Sequence, residues 1–458
     1  MKKSTSRILT THTGSLPRPA DLVEILEAKE GGKPVDNEAF ATRVRLAVGE
    51  AVAKQASSGV DVLNDGEQGK IGYSTYVKDR LAGFGGASNS RLGPADTLDF
   101  PDWAIRRQTA LRSRPSCNGP IAWRDFNAVQ RDIDNLKAAT ATVKPEEVFM
   151  SAASPGVIAL FLGNEYYPSH EAYVEALANV MRDEYNAIVK AGFVLQVDCP
   201  DLAMGRHIQF PDKTDREFLK IARTNVEALD HALRDIPPDR ARVHLCWGNY
   251  EGPHHRDIPL ASILPIVLKS KASAFSFEGA NPRHEHEWAV FRDFQLPEGK
   301  LIIPGVLDST TNFIEHPELV AQRIVRYAEL VGRENVIAGS DCGFGTFASS
   351  TPIIAPSITW AKLQAMADGA RIATRQLWDR RRPAASPPDS QRSGESPRAR
   401  VASPSQAAKP SPRGTSSRAK TVAPRRTTRS AIQAKGALQR SPRGGKAPSR
   451  AAQRRARR

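Results

Sequence analysis

Cysteine is scarce in this chain. Four thiols, Cys117, Cys199, Cys246 and Cys342, are scattered through 458 residues. That spacing does not make a disulfide framework and points to a reducing compartment with metal-binding or catalytic thiols. Long apolar runs are missing too: none approaches the roughly 18–20 residues a membrane span needs. No apolar stretch follows Met1-Lys2-Lys3-Ser4-Thr5-Ser6-Arg7, so no secretory signal is expected and the reading is a cytoplasmic protein. Acidic residues almost vanish at one end. Between Arg381 and Arg458 only Asp389 and Glu395 stand against 21 Lys and Arg. That net +19 exceeds the +15 of the whole chain and leaves −4 for residues 1–380. The basicity belongs to the tail and says nothing about a substrate of the rest.

The tail also lacks large apolar residues. Pro, Ser, Ala, Gly, Arg and Lys cannot bury enough surface to offset their ordering entropy, so residues 379–458 are expected to be disordered. Ser-Pro-Arg at 411–413 and 441–443, and the terminal Arg454-Arg455-Ala456-Arg457-Arg458, suit an electrostatic tail for nucleic acid or another polyanion. A solvated extension with no partner is an equal alternative.

What remains is a repeat of short apolar runs and amphipathic stretches. Eight β-rich runs precede residue 345: Ile8–Thr11, Val60–Asn64, Val148–Ala152, Val194–Asp198, Val243–Trp247, Ala274–Glu278, Leu301–Val306 and Val336–Ser340. Near-continuous apolar runs fit strands buried on both faces of a parallel sheet. Helical patterns lie between them, at Asn37–Ser58, Ser169–Ala191 and Pro317–Val331, with Gly192 and Gly332 beyond the last two. Eight strand–helix units predict a (β/α)8 TIM barrel over residues 1–378, with a doubly wound open sheet as the competitor. The polar interval 70–147 exceeds a normal crossover and reads as an insertion after strand 2 that caps the barrel mouth.

Candidate chemistry collects at predicted strand ends. His244 and Cys246 are two apart on one strand, so both side chains face one point. Cys342 follows the eighth strand, which a closed barrel brings across the mouth from the fifth. Glu278 ends the sixth and could fill a fourth position until a substrate thiol displaces it. Imidazole and thiolates converging with one exchangeable position suit catalytic zinc. Taken singly, a buried Cys is more often a small hydrophobe. Cys117 lies in the insertion without a partner motif and reads as structural, while Cys199 adjoins a strand end. Glu67 and Asp198, also at strand ends, suit an ammonium group or proton transfer. Their bland reading is helix capping, which is an even alternative for Ser15 and His12.

The motifs Thr10-Thr11-His12-Thr13-Gly14-Ser15-Leu16-Pro17-Arg18, Asp65-Gly66-Glu67, Gln196-Val197-Asp198, His244-x-Cys246 and Asp341-Cys342-Gly343 together resemble the C-terminal catalytic barrel of the cobalamin-independent methionine synthase family. The resemblance spans roughly residues 7–375 in the family's order. It implies a zinc ion on His244, Cys246, Glu278 and Cys342. It places the amino-acid part of homocysteine on Ser15, Glu67 and Asp198, with His12 as a further substrate-binding candidate. The implied reaction is methyl transfer from methyltetrahydrofolate to the homocysteine sulfur. A free thiol of pKa ~8.5 is mostly protonated at neutral pH, and zinc coordination deprotonates it.

Three departures concern the donor. Full-length members carry a second, N-terminal barrel, which this chain lacks. The family's folate-stacking Trp after strand three has no counterpart between Ser154 and Gly163. The family's catalytic His after strand seven falls in Asp308-Ser309-Thr310, which makes Asp308 the catalytic candidate. Single-barrel relatives include an epoxyalkane:coenzyme M transferase-like enzyme, which alkylates a thiol without folate. For such a sulfonate-bearing thiol, Arg18, Lys70, Arg256 and Arg283 are the available cations. Glu67 and Asp198 favour the ammonium of homocysteine. A third reading makes the barrel an inactive scaffold and the tail a polyanion binder.

Overall fold

The computed structural model describes residues 1–88, 93–106 and 114–379. Almost all of the basic tail lies outside the described residues. Eight parallel strands form one sheet: β1 (Leu9–Thr10), β2 (Val62–Leu63), β3 (Glu147–Ala153), β4 (Val194–Asp198), β5 (Ala241–His244), β6 (Ala274–Phe277), β7 (Leu301–Leu307) and β8 (Ile337–Ser340). Each pairs with its successor from β2 to β8, and β8 returns to β1. The remaining seam, between β1 and β2, is bridged by Asp61 N donating to Thr10 O at 3.2 Å and by Thr11 Oγ1 donating to Val62 O at 3.3 Å. A sheet whose first strand pairs with its last is a barrel, and the open doubly wound alternative is excluded.

Local chemistry explains the surrounding helices. Asp36 caps Asn37–Ser57 by accepting from Glu38 N and Ala39 N. Ser169 caps His170–Lys190, and Thr214 with Glu217 forms a capping box on Asp215–Ala232. Pro317–Val331 ends where Gly332 takes φ +87°, a left-handed conformation that favours glycine.

The interval 70–147 holds two kinds of structure. Leu81–Gly85 and Ser116–Trp123 form an antiparallel hairpin outside the barrel sheet. Asn127–Thr140 is an amphipathic helix that buries Val129, Ile133 and Leu136 and packs on Asn37–Ser57, so it serves as the crossover helix between β2 and β3. The insertion meets the mouth through Asp96, whose Oδ2 accepts from Tyr250 Oη at 2.7 Å and His254 N at 2.8 Å. Strand β5 ends at His244, so Cys246 lies just beyond it. Leu245 N donates to Ser276 O at 2.8 Å, which keeps the chain extended and leaves His244 and Cys246 on one side.

Candidate metal and thiol site

His244, Cys246 and Cys342 converge at the C-terminal mouth of the barrel. One potential ligand atom from each lies within 4.8 Å of the others, and all three residues are buried. The two sulfurs are 2.9 Å apart, beyond the ~2.05 Å of a disulfide bond. His244 Nδ1 is buried without a hydrogen-bond partner. Glu278 stands beside this trio. Its Oε1 accepts from Trp247 N at 2.8 Å and lies 3.7 Å from Cys342 Sγ, while Oε2 accepts from Asn281 Nδ2 at 2.7 Å.

The electrostatics favour an added cation. The Cys342 thiol pulls Cys246 down through its hydrogen bond, but burial and the Glu278 carboxylate outweigh it and leave Cys246 at about 11. Burial, then the Cys246 thiol and the charges of Glu278 and Asp341, push Cys342 upward. Burial, with Arg242 nearby, lowers His244 to about 3, so its imidazole is neutral at physiological pH. A neutral imidazole with an orphaned nitrogen and two thiols that cannot ionise unaided form a donor set for a thiophilic divalent ion. The residues present fit zinc.

Asp341 fixes this geometry from behind. Its Oδ1 accepts from Gly279 N and Ala280 N, and Oδ2 from Asn281 N, each at 2.8 Å. One carboxylate thus ties the loop after Glu278 to the residue before Cys342. The contact requires Gly305, where a Cβ would come within 1.9 Å of Asp341 Oδ1. Burial and the Glu278 charge raise the Asp341 pKa.

The opposite wall carries carboxylates. Thr13, Ser15, Glu67, Tyr73 and Asp198 line one cleft with the three metal-ligand candidates. Glu67 has φ +56°, a strained conformation for a side chain of its size. Asn64 Oδ1 and Asp65 Oδ1 hold the turn by accepting from Gly66 N and Glu67 N, and Arg18 Nη2 donates to Glu67 O at 2.8 Å. Glu67 Oε1 accepts from Ser151 Oγ at 2.7 Å, while Oε2 is buried without a partner. Asp198 Oδ1 accepts from Gln196 Nε2 at 2.8 Å. Burial and the Glu67 charge raise the Asp198 pKa. Among the described residues no Lys or Arg forms an ion pair with either carboxylate. Ser15 packs against Gly343, where a Cβ would fall 2.0 Å from Ser15 Oγ; only glycine lets the two walls meet there.

Two predicted site residues are placed elsewhere. His12 is buried behind the β1 loop. Its Nε2 meets Gln55 Oε1 at 2.8 Å, and its Nδ1 accepts from Gly14 N at 3.2 Å, so neither nitrogen is left for a ligand and His12 does not line the cleft. Asp308 closes its own turn. Oδ1 accepts from Thr310 N and Thr310 Oγ1, and Oδ2 from Thr311 Oγ1. Its neighbour Ser309 touches the site instead, accepting from Cys342 N at 3.2 Å and donating to Asn249 Oδ1 at 2.9 Å. Tyr73, Asn249 and Thr346 line the cleft without having been singled out.

The His-rich segment after Tyr250 builds an ion network under Trp247. The His284 ring stacks on Trp247 at 4.2 Å. Its Nε2 meets Asp257 Oδ2 at 3.0 Å, and its Nδ1 meets Glu287 Oε2 at 2.8 Å. Burial lowers the His284 pKa, but the two carboxylates outweigh it and raise it to about 10. His254 Nδ1 also meets Asp257 Oδ2, at 2.8 Å.

Known proteins share this architecture. Residues 165–370 match the family model described as "Cobalamin-independent synthase, Catalytic domain", an interval that holds Asp198, His244, Cys246, Glu278, Asp308 and Cys342. The methionine synthase of Thermococcus kodakarensis is 27% identical over 373 residues, covering 80% of this chain and 94% of the relative. That of Saccharolobus solfataricus is 24% identical over 371 residues, covering 80% and 95%. Such coverage leaves those relatives no room for a second barrel. Two solved structures share the fold. The B12-independent methionine synthase from Shewanella sp. W3-18-1, in complex with selenomethionine, has a TM-score of 0.61 at 20% identity and covers 81% of this chain and 99% of that one. A putative vitamin-B12-independent methionine synthase from Listeria monocytogenes has a TM-score of 0.56 at 17% identity, covering 80% and 98%. By its family-model match over residues 165–370 and its curated relatives, the barrel of this chain is similar to the cobalamin-independent methionine synthase family.

Proposed function

We propose that this chain is a zinc-dependent methyltransferase acting on the thiol of a homocysteine-like amino acid. His244, Cys246, Cys342 and Glu278 would hold the metal. The observation that carries the reading is the shared cleft: two thiols and an imidazole line one space with two buried carboxylates that form no ion pair with Lys or Arg among the described residues. Zinc bound there supplies the positive charge that stabilises a substrate thiolate and positions it toward a methyl donor. The protein residues do the rest. Glu67 and Asp198 take the substrate ammonium, which offsets the repulsion between their buried charges. Ser15 lies where the amino-acid end meets the Gly343 turn. Asp341 and Ser309 hold Cys342 in place through backbone N–H groups, and Glu278 would supply the ligand that a substrate sulfur could replace.

The sulfonate-bearing thiol fits less well. The four cations that it would need all donate to oxygens of the protein. Arg18 donates to Gly345 O and Glu67 O, and Lys70 to Ser151 O. Arg256 grips Asp99 with two hydrogen bonds, and Arg283 donates to His255 O. The residues of the carboxylate wall therefore favour an ammonium. The reading as an inactive scaffold lacks support from a cleft whose ligand candidates converge. The test is zinc analysis of the purified chain, with proton release recorded on adding homocysteine. One zinc per chain and about one proton per site are expected. A stoichiometric zinc content that survives Cys246→Ser would overturn the ligand set.

A further inference from the structure

One cation near the cleft lacks an anion. Arg114 leaves the outer hairpin with its Nη1 buried and without a hydrogen-bond partner, and no carboxylate pairs with it among the described residues. Its guanidinium lies 4.6 Å from the centroid of the Phe161 ring and 5.9 Å from that of Phe347. Tyr73 packs against both rings, at 5.8 and 6.0 Å, and lines the cleft that holds the thiols. Phe347 is 40% exposed, so the ledge opens outward. A buried N–H donor without an acceptor is costly, the more so when charged, and aromatic faces hold a guanidinium without neutralising it. An arriving anion would satisfy the donor.

We propose that Arg114, with the rings of Phe161, Phe347 and Tyr73, forms a second ligand site at the rim of the cleft. It takes the anionic group of the alkyl donor: a carboxylate, phosphate or sulfonate carried on a planar or apolar body. The site is one aromatic ring removed from the thiols, so a donor anchored there presents its other end to the cleft past Tyr73. The amino-acid acceptor is held on the opposite wall by Ser15, Glu67 and Asp198, which leaves Arg114 for the second substrate. The inference rests on the thiol-alkylating role proposed above.

The test uses two matched probes, 2-naphthoate and 2-naphthamide, titrated into the full-length zinc-loaded chain at fixed salt. The anion should bind more tightly than the amide. Arg114→Gln should shrink that ratio by about tenfold, and Arg114→Lys should restore part of it. Phe347→Ala should weaken both probes. The basic tail is common to all variants, so its contribution cancels in the comparison. An anion-to-amide ratio in Arg114→Gln equal to that of the unsubstituted chain would overturn the site. Should Arg114→Gln fail to fold, contacts from bound naphthoate to isotope-labelled Phe347 and Tyr73 rings carry the test in the unsubstituted protein. Contacts to the tail alone would overturn the proposal. Failure of the thiol reading shows separately, as missing zinc or missing proton release on adding homocysteine to the unsubstituted chain.

Discussion

Among the described residues neither wall of the cleft forms an ion pair with Lys or Arg, and the two walls differ in the kind of cation their donors suit. The wall from β5, β6 and β8 offers sulfur and imidazole, donors that select a thiophilic transition ion. The wall from β1, β2 and β4 offers the oxygens of Glu67 and Asp198, donors suited to a hydrogen-bonding ammonium. The construction differs too. Backbone N–H groups gathered by Asp341 stiffen the sulfur wall. The carboxylate wall depends on a strained Glu67 backbone held by Asx turns. On the proposed function, the difference would keep a metal and an amino acid apart: donor chemistry would assign each cation to its wall, and the substrate sulfur would be the one atom to cross between them.

The comparison breaks most visibly on the sulfur side. Cys342→Ser should abolish stoichiometric zinc and, with it, methyl transfer, as read by metal analysis and product assay. Losses on the carboxylate side should be smaller and confined to substrate binding. Glu67→Gln or Asp198→Asn should raise the KM for homocysteine by about 10–100-fold, the worth of one charged hydrogen bond, with zinc content unchanged. Assaying 4-mercaptobutyrate, which lacks the ammonium, sharpens this: the unsubstituted chain should strongly prefer homocysteine, and both variants should lose most of that preference. A KM unchanged in both variants would remove the ammonium from the account. Asp341→Asn should weaken zinc retention by about 10–100-fold, as substitutions behind metal ligands do, measured by competition with a chelator.

The ion network under Trp247 makes a pH prediction. The His284 pKa is raised in the folded chain to about 10, against about 6.5 unfolded. The stability it contributes is therefore complete below pH 6.5 and is lost as pH rises through about 10. Thermal unfolding followed from pH 7 to 10 should show Tm falling, and His284→Gln should flatten that slope while lowering Tm at pH 7. The smallest effect belongs to Asp308. Asp308→Asn keeps an acceptor for its turn and should change methyl transfer less than about tenfold, since general acid–base groups contribute about 10²–10⁴. A larger loss would return Asp308 to the catalytic role expected from the sequence.

Much of this was legible beforehand. Apolar runs at regular intervals gave the barrel, because strands buried on both faces need no alternation. Strand-end positions anticipated that His244, Cys246 and Cys342 converge, with Glu278 beside them, because period-two geometry and barrel closure are simple rules. The side chains placed otherwise than expected share a cause: a partner distant in sequence or a turn that consumes the side chain. His12 is held by Gln55, which no spacing rule links to it. Asp308 precedes Ser309-Thr310-Thr311, a run that invites the side-chain-to-backbone turn it forms. Asn127–Thr140 was absorbed into a polar insertion because only Val129, Ile133 and Leu136 mark its buried face. Arg114 was not singled out, since its importance rests on lacking a partner, and that is visible only once every neighbour is placed.

The most direct test of the central claim is X-ray absorption at the zinc edge, recorded before and after adding homocysteine. The account predicts two sulfur neighbours at about 2.3 Å with nitrogen and oxygen completing the shell, rising to three sulfurs and losing the oxygen once the substrate binds. A sulfur count that stays the same on adding homocysteine, or a zinc ion with no sulfur neighbours at all, would contradict it.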